Sequence, residues 1–367
     1  MKTLAFYLPQ FHEIEENNKW WGKGFTEWVN VKKATPLFRN HNQPREPLND
    51  YYYNLLEVET LKWQSEIAKK HHIDGFCFYH YWFNGKRLLD KPAELLLENK
   101  DIDLPFMFSW ANEPWTRSWD GSHRDVIMPQ SYGDESDWLN HFNYLKPFFE
   151  DERYIKHNGK PVFLLYRSAS FEKCNEWIQY WRKLAKETSF GDIHFVSTLT
   201  SFAQDHRKLD FDAELNFEPM CTFEHNMGKI KPLVRKVVGR IKRISNEKLK
   251  TNYVEQILSY QSVWDKILEK DFSERHYSGA FVDWDNTPRK KTKSLVMKGS
   301  NPQVFKSNFD KLYQKSVSAN VPYLFINAWN EWAEGTYLEP DKKNGHGYLE
   351  AVKETVEKYK KLIGERS

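Results

Sequence analysis

The chain is predicted to fold as an α/β protein, a (β/α)8 barrel with enlarged loops after its strands. Three observations carry that expectation. First, eight short apolar runs punctuate the sequence: Thr3 to Leu8, Gly75 to Trp82, Pro105 to Trp110, Pro161 to Arg167, Ile193 to Thr198, Ala213 to Phe217, Gly279 to Asp283 and Pro322 to Ala328. Their apolarity is continuous, as in strands of a parallel sheet buried on both faces. Second, helix-period segments separate them. Leu55 to His71 has Leu61, Ile67 and Ala68; Ser136 to Phe149 has Trp138, Leu139, Phe142, Leu145 and Phe149. Phe171 to Lys186 has Trp177, Ile178, Trp181 and Leu184; Val304 to Val317 has Phe305, Phe309, Leu312 and Tyr313. The tail has Tyr348, Leu349, Val352, Val356 and Tyr359. Apolar residues three and four apart make one helix face. Third, the first run leads into Leu8-Pro9-Gln10-Phe11-His12. A doubly wound open sheet, the other fold with this alternation, would want a glycine-rich phosphate turn there.

Composition bounds the rest. The 367 residues are 40% hydrophobic and 29% charged, a globular balance that excludes disorder. They read as one catalytic domain, 1–367, carrying an insertion at 228–252. Net charge is 54 − 51 = +3, so no overall field draws the chain to nucleic acid. Aromatics reach 16%, with 15 Trp, 19 Tyr and 25 Phe, which suits a cleft that stacks ring-shaped ligands. Cys77, Cys174 and Cys221 are too few and unpatterned for a disulfide framework or zinc knuckle, and Cys77 reads as a buried thiol. No run approaches the roughly 20 apolar residues of a membrane span. The N-terminal apolar stretch breaks at Pro9, too early for a signal peptide, so the expectation is a cytoplasmic protein.

The insertion is distinctive. From Lys229 to Lys250 there are nine Lys or Arg and one acid, Glu247. Ile230, Leu233, Val234, Val237, Val238, Ile241 and Ile244 form a helical stripe. This reads as a basic amphipathic helix. Either it is a barrel helix with a solvated basic face, or it docks on an anionic membrane surface or lipid-linked substrate. Few aromatics interleave the charges, so nucleic acid is not expected.

In a barrel, chemistry collects where strands end. Carboxylates and tryptophans recur there. The strand-one loop holds Trp20-Trp21 and Glu27-Trp28; later ends hold His80-Tyr81-Trp82, Trp110-Ala111-Asn112-Glu113-Pro114-Trp115-Thr116-Arg117, Glu218, Asp283-Trp284-Asp285 and Trp329-Asn330-Glu331-Trp332-Ala333-Glu334-Gly335. Buried acids cost stability unless something needs them. Indole and phenol rings stack on the C–H faces of sugars, while acids and amides bind hydroxyls. Glu331 and Glu334, three apart on a helical turn, would have Cβ atoms about 5–6 Å apart. Roughly 5–5.5 Å is the carboxylate separation of a retaining glycosidase. Two such acids cannot both ionise easily, so one becomes an acid and the other a base or nucleophile.

Other motifs are less specific. Asp283-Trp284-Asp285 could hold a divalent metal for a nucleotide-sugar transferase, or bind sugar hydroxyls. His71-His72 reads as surface. His80 could bind substrate or be structural. Glu113 and Glu218 could act as bases or pair with Arg117 and Arg167. No H-E-x-x-H, Walker loop, nucleophile elbow or dinucleotide fingerprint is present.

Several of these segments resemble the WbsX-type polysaccharide-biosynthesis family. They are Tyr7-Leu8-Pro9-Gln10-Phe11-His12, Trp21-Gly22-Lys23-Gly24-Phe25-Thr26-Glu27-Trp28, Gly75 through Phe83, Trp110-Ala111-Asn112-Glu113 and Trp329 through Thr336. That family is similar to glycoside hydrolase family 99, which comprises (β/α)8-barrel endo-acting α-mannosidases and relatives. The resemblance implies that Glu331 deprotonates a sugar 2-hydroxyl, giving a 1,2-anhydro intermediate and overall retention. It implies that Glu334 protonates the leaving oxygen and then activates the acceptor. It implies no metal or other cofactor. Two positions depart: the hydrolases commonly have His where Ala333 stands, and WbsX-type chains commonly have Asn where Pro114 stands.

The functional expectation is therefore a retaining enzyme of bacterial O-antigen or capsule metabolism, cleaving or transferring α-linked glycosides. Glu331 and Glu334 are the expected catalytic pair. Tyr7, Glu27, His80, Trp82, Asn112, Glu113, Trp115, Arg117, Glu218, Asp283, Asp285 and Asn330 are the expected pocket lining. The partner is an oligo- or polysaccharide, lipid-linked if the basic insertion meets a membrane. The alternatives are a metal-dependent nucleotide-sugar transferase and a glycan-binding module without catalysis.

Overall fold

The structure, a computed structural model, describes residues 1–116, 125–202, 204–228, 230–249 and 251–364. All eight apolar runs are strands: β1 Lys2–Tyr7, β2 Gly75–Phe83, β3 Phe106–Trp110, β4 Lys160–Leu165, β5 His194–Leu199, β6 Ala213–Asn216, β7 His276–Phe281 and β8 Tyr323–Asn327. Each pairs in parallel with its sequence neighbour. The first strand also pairs with the last, with Leu4 opposite Phe325, so the sheet closes. The result is a (β/α)8 barrel.

The helices are α1 Glu15–Trp21, α2 Glu27–Lys32, α3 Val58–Lys70, α4 Lys91–Glu98, α5 Glu135–Glu150, α6 Cys174–Ala185, α7 Met220–His225, α8 Ile230–Leu249, α9 Tyr260–Leu268, α10 Thr287–Lys290, α11 Pro302–Ser318 and α12 Gly347–Gly364. Local chemistry starts several of them. The Asp134 carboxylate accepts from the backbone N–H groups of Ser136 and Asp137 at the start of α5. Asn301 caps α11 at Val304 N–H, and Pro302 follows where its missing N–H costs nothing. The stripe Trp177, Ile178 and Trp181 of α6 is fully buried against the barrel. Truncating either indole to Ala would cost about 3–5 kcal/mol.

Three departures from the sequence reading have local causes. Helices α4 and α9 were not anticipated; they are short and lie between larger landmarks. Among the described residues no helix joins β5 to β6. His71, expected at the surface, is buried: its Nδ1 bonds Ile67 O and its Nε2 bonds Glu350 at 3.1 Å, tying α3 to α12. Where the strands crowd, Gly279 is obligatory, since a Cβ there would lie 2.0 Å from Asn216 O. The three cysteines are buried thiols. Among the described residues, no helix is long and apolar enough to cross a membrane.

Candidate active site

All eight strand ends contribute to one cavity of about 480 Å3 at the C-terminal mouth of the barrel. The contributors in chain order include Gln10, Tyr79 and Tyr81, Glu113 and Trp115, Tyr166 and Arg167, Phe202, Phe217, Trp284 and Arg289, then Glu331 and Glu334. The walls are aromatic, and the β7–β8 side sets Glu331 and Glu334 beside Arg289 and Lys290. Gln10 Nε2 and Trp284 Nε1 are buried donors with no hydrogen-bond partner among the described residues.

Arg289 organises the acids. Its Nη1 donates to Glu334 at 2.6 Å, its Nη2 to Glu331 at 3.0 Å and its Nε to Glu27 at 3.0 Å. One guanidinium thus meets three carboxylates. Glu27 is fully buried, and its other oxygen has no hydrogen-bond partner among the described residues. Burial, then the charges of Glu334 and Glu27, push the Glu331 carboxyl up to about 8 against the opposing pull of Arg289. Burial alone would lower the proton affinity of Arg289; the three glutamates reverse that and raise it well above its ordinary value. Burial also raises the phenols of Tyr79, Tyr81 and Tyr166, helped by the neighbouring glutamates, so they stay neutral donors. Across the cavity burial pushes Glu113 up to about 6, although Arg167 Nη1 lies 3.4 Å from its carboxylate.

Glu331 and Glu334 do not share a helical turn. Glu331 ends a two-residue strand, Asn330–Glu331, paired with Thr336–Tyr337, and Glu334 ends a 3-10 turn, Trp332–Glu334. Gly335 closes this hairpin at φ +69°, and a Cβ there would strike Arg45 Nη2 at 2.9 Å.

A second arginine, Arg45, sits behind that hairpin. Its Nη1 donates to Gly335 O at 2.9 Å and its Nη2 to Asp283 at 2.8 Å. Asp285 accepts from Gln43 at 2.7 Å, meets His41 at 2.9 Å, and accepts from Thr287 N–H and Oγ1. Burial would raise Asp285, but His41, Arg45 and Thr287 outweigh it and hold the carboxyl at about 2. Neither aspartate lines the cavity. The D-x-D carboxylates are filled by protein donors, which leaves no open pair for a metal. Among the described residues, no group of three His, Cys, Asp or Glu is placed to hold one.

Of the residues the sequence put in the pocket, Glu331, Glu334, Glu113 and Trp115 line it. Glu27 lies one layer back, on Arg289. The others serve the frame. His80 and Trp82 point outward onto α5: His80 Nε2 lies 2.8 Å from His141 Nε2, and Trp82 Nε1 donates to Asp137. Burial drives the His80 imidazole down to about 3, so it stays neutral. Tyr7 points outward onto α3, donating to Gln64 at 2.7 Å. Asn112 joins β3 to β4, donating to Arg167 O at 2.9 Å and accepting from Arg167 N–H at 2.8 Å. Asn330 does the same between β8 and β1 on both backbone groups of Leu8. Glu218 is buried on Lys270 at 2.6 Å and binds Thr222. Arg117 lies outside the described residues.

The sequence reading missed Arg289, Tyr79, Tyr81, Tyr166 and Arg167. Arg289 opens the run Arg289-Lys290-Lys291, which looks like solvated charge. The tyrosines carried a signal that parity hides. Strand side chains alternate, so Tyr79 and Tyr81 face the cavity while His80 and Trp82 face α5. A strand apolar on both faces does not announce which parity points inward.

Fold and site together define a (β/α)8 barrel with an aromatic-walled pocket in its mouth that holds a carboxylate pair. Residues 3–352 match the family described as Glycosyltransferase WbsX, and the chain belongs to that family. It is 33% identical over 357 residues to uncharacterized proteins named WxcX from two strains of Xanthomonas campestris pv. campestris. That match covers 96% of this chain and 49% of each relative, so the chain spans about half their length. Among solved structures it resembles a GH99 endo-alpha-mannosidase from Bacteroides thetaiotaomicron, with TM-score 0.56 and 13% identity over 99% of this chain and 98% of that one. A glycoside hydrolase-like protein matches with TM-score 0.57 and 13% identity, over 96% and 93% of the two chains. At that identity the likeness establishes a shared fold.

Proposed function

We propose that this chain is a retaining carbohydrate-active enzyme that cleaves or transfers α-linked glycosides of a bacterial cell-surface polysaccharide. The observation that carries the reading is one guanidinium, Arg289, holding Glu331 and Glu334 together in an aromatic-walled cavity. The family membership and the likeness to the endo-alpha-mannosidase barrel support it. The chain acts as one catalytic unit, in the cytoplasm, on an oligo- or polysaccharide.

Glu331 is the base. Burial and like charge give its carboxylate a high proton affinity, which suits removal of a proton from an alcohol. It takes the 2-hydroxyl proton as that oxygen closes on C1. Glu334 gives its proton to the departing glycosidic oxygen as the C1–O bond breaks. The product is a 1,2-anhydro sugar. Glu334 then takes a proton from the incoming water or hydroxyl, the acceptor oxygen bonds to C1 as the C1–O2 bond breaks, and Glu331 returns its proton to O2. Two inversions at C1 give net retention. Arg289 steadies both carboxylates as charge moves between them.

The test is product stereochemistry by NMR on an α-linked cell-surface oligosaccharide, with wild type and Glu334→Gln, in the presence and absence of EDTA. Retention, loss in the variant and indifference to EDTA are expected. Inversion, or full activity in Glu334→Gln, refutes the reading. Loss in EDTA would favour a metal-dependent nucleotide-sugar transferase.

A further inference from the structure

Helix α8 packs on the protein with its polar side. Gly239 is buried against Glu255, where a Cβ would sit 3.8 Å from Glu255 O. Arg243 grips the Glu255 carboxylate at 2.6 and 2.9 Å. Lys242 Nζ donates to Val254 O at 3.0 Å, and Asn246 Nδ2 to Tyr253 O at 2.8 Å. From Val234 to Ile244 the apolar stripe faces the other way. Val234 and Val237 are each 54% exposed and Ile241 62%, with Val238 and Ile244 also exposed. A barrel helix with a solvated basic face would bury that stripe and expose its charges; this helix does the reverse with its stripe. Exposed Arg240 and Lys248 belong to the same helix, and the segment from Lys229 to Lys250 holds nine cations against one acid. An exposed apolar stripe within a cationic helix matches the headgroup region of an anionic bilayer.

The position of the helix adds a direction. The segment follows β6, so it leaves the barrel on the cavity side. Glu255 N–H donates to Thr292 O, and strand Gln256–Ser259 pairs with Leu295–Lys298. Both ties reach the loop that carries Arg289. A surface that holds α8 is therefore on the same side of the barrel as the pocket.

We propose that α8 is an interfacial helix by which this protein docks on anionic phospholipid, inserting Val237 and Ile241 among the acyl chains. The test is co-sedimentation of the full chain with vesicles of phosphatidylglycerol and phosphatidylcholine in equal parts, against phosphatidylcholine alone. Partition into the anionic vesicles at least about tenfold stronger is expected, weakening as salt is raised. Ile241→Asp should lower that partition by about tenfold or more, because it places charge in the apolar layer. The pair Arg240→Glu and Lys248→Glu should remove the preference for anionic lipid. Unchanged unfolding midpoints would show that the variants remain folded, as expected for exposed positions; either variant set suffices if the other fails to fold. Equal partition into both vesicles, or wild-type binding by a folded Ile241→Asp, overturns the proposal. So does a dimer that Ile241→Asp dissociates with no vesicle binding, which would make the stripe a contact between copies. The readout is partition, so its failure leaves the proposed reaction untouched, and failure of that reaction leaves this surface standing.

Discussion

Two arginines on the same rim of the barrel collect carboxylates, and they do so in opposite ways. Arg45 works inside a saturated cluster. Asp285 accepts from Gln43 and Thr287 and meets His41, Asp283 accepts from Arg45, and the Asp285 carboxyl is held at about 2. Arg289 works inside a cluster short of donors. Three glutamates share one cation, one buried oxygen of Glu27 is left over, and Glu331 rises to about 8. Both clusters are buried or nearly so, and both pair acids with a guanidinium. The first has donors enough for its acids and braces the hairpin at Gly335. The second holds more negative charge than it can neutralise, beside an open cavity, and there protons can move. Surplus acid next to solvent-filled space separates reactive carboxylates from structural ones.

Four measurements sharpen or break this contrast. The largest effect belongs to Glu334→Gln, which should lower turnover by about 10²–10⁴ with little change in the unfolding midpoint, read from initial rates and thermal melts. Arg289→Lys replaces a planar fork with a point charge, so it cannot serve three carboxylates. A rate loss of roughly 10²-fold is expected, with a stability loss approaching the 3–5 kcal/mol of a broken buried pair, read by denaturant titration. The pH profile comes third. The mechanism needs one proton on the Glu331–Glu334 pair, so kcat/KM should fall above about pH 8, where the raised Glu331 carboxyl loses its proton; a profile with no break there would separate turnover from that carboxyl. The same shift bears on stability. The folded Glu331 carboxyl binds its proton more tightly than in the unfolded chain, so its contribution is present below the ordinary carboxylate range and is lost as pH climbs to about 8. The smallest catalytic effect should be that of Asp285→Asn. It should lower the unfolding midpoint while leaving kcat within about tenfold, since its donors brace the rim and touch no substrate. A loss equal to that of Glu334→Gln would erase the distinction between the clusters.

The sequence by itself determined the architecture. Eight apolar runs and the helix periods between them sufficed, because strands buried on both faces and helices buried on one leave different one-dimensional patterns. It also marked Glu331, Glu334, Glu113 and Trp115, because strand ends are readable once strands are. It could not decide parity. Tyr79 and Tyr81 against His80 and Trp82, or Tyr7 against Leu8, differ only in which face of a doubly buried strand they occupy. Nor could it bring Arg289 to Glu27, which lies 262 positions away, or show that Asp283 and Asp285 are already filled. Those are facts of closure: the strand tilt and the loop paths set which acids meet a cation. Only the folded barrel brings residues from opposite ends of the chain close enough for one charge to reset another's proton affinity.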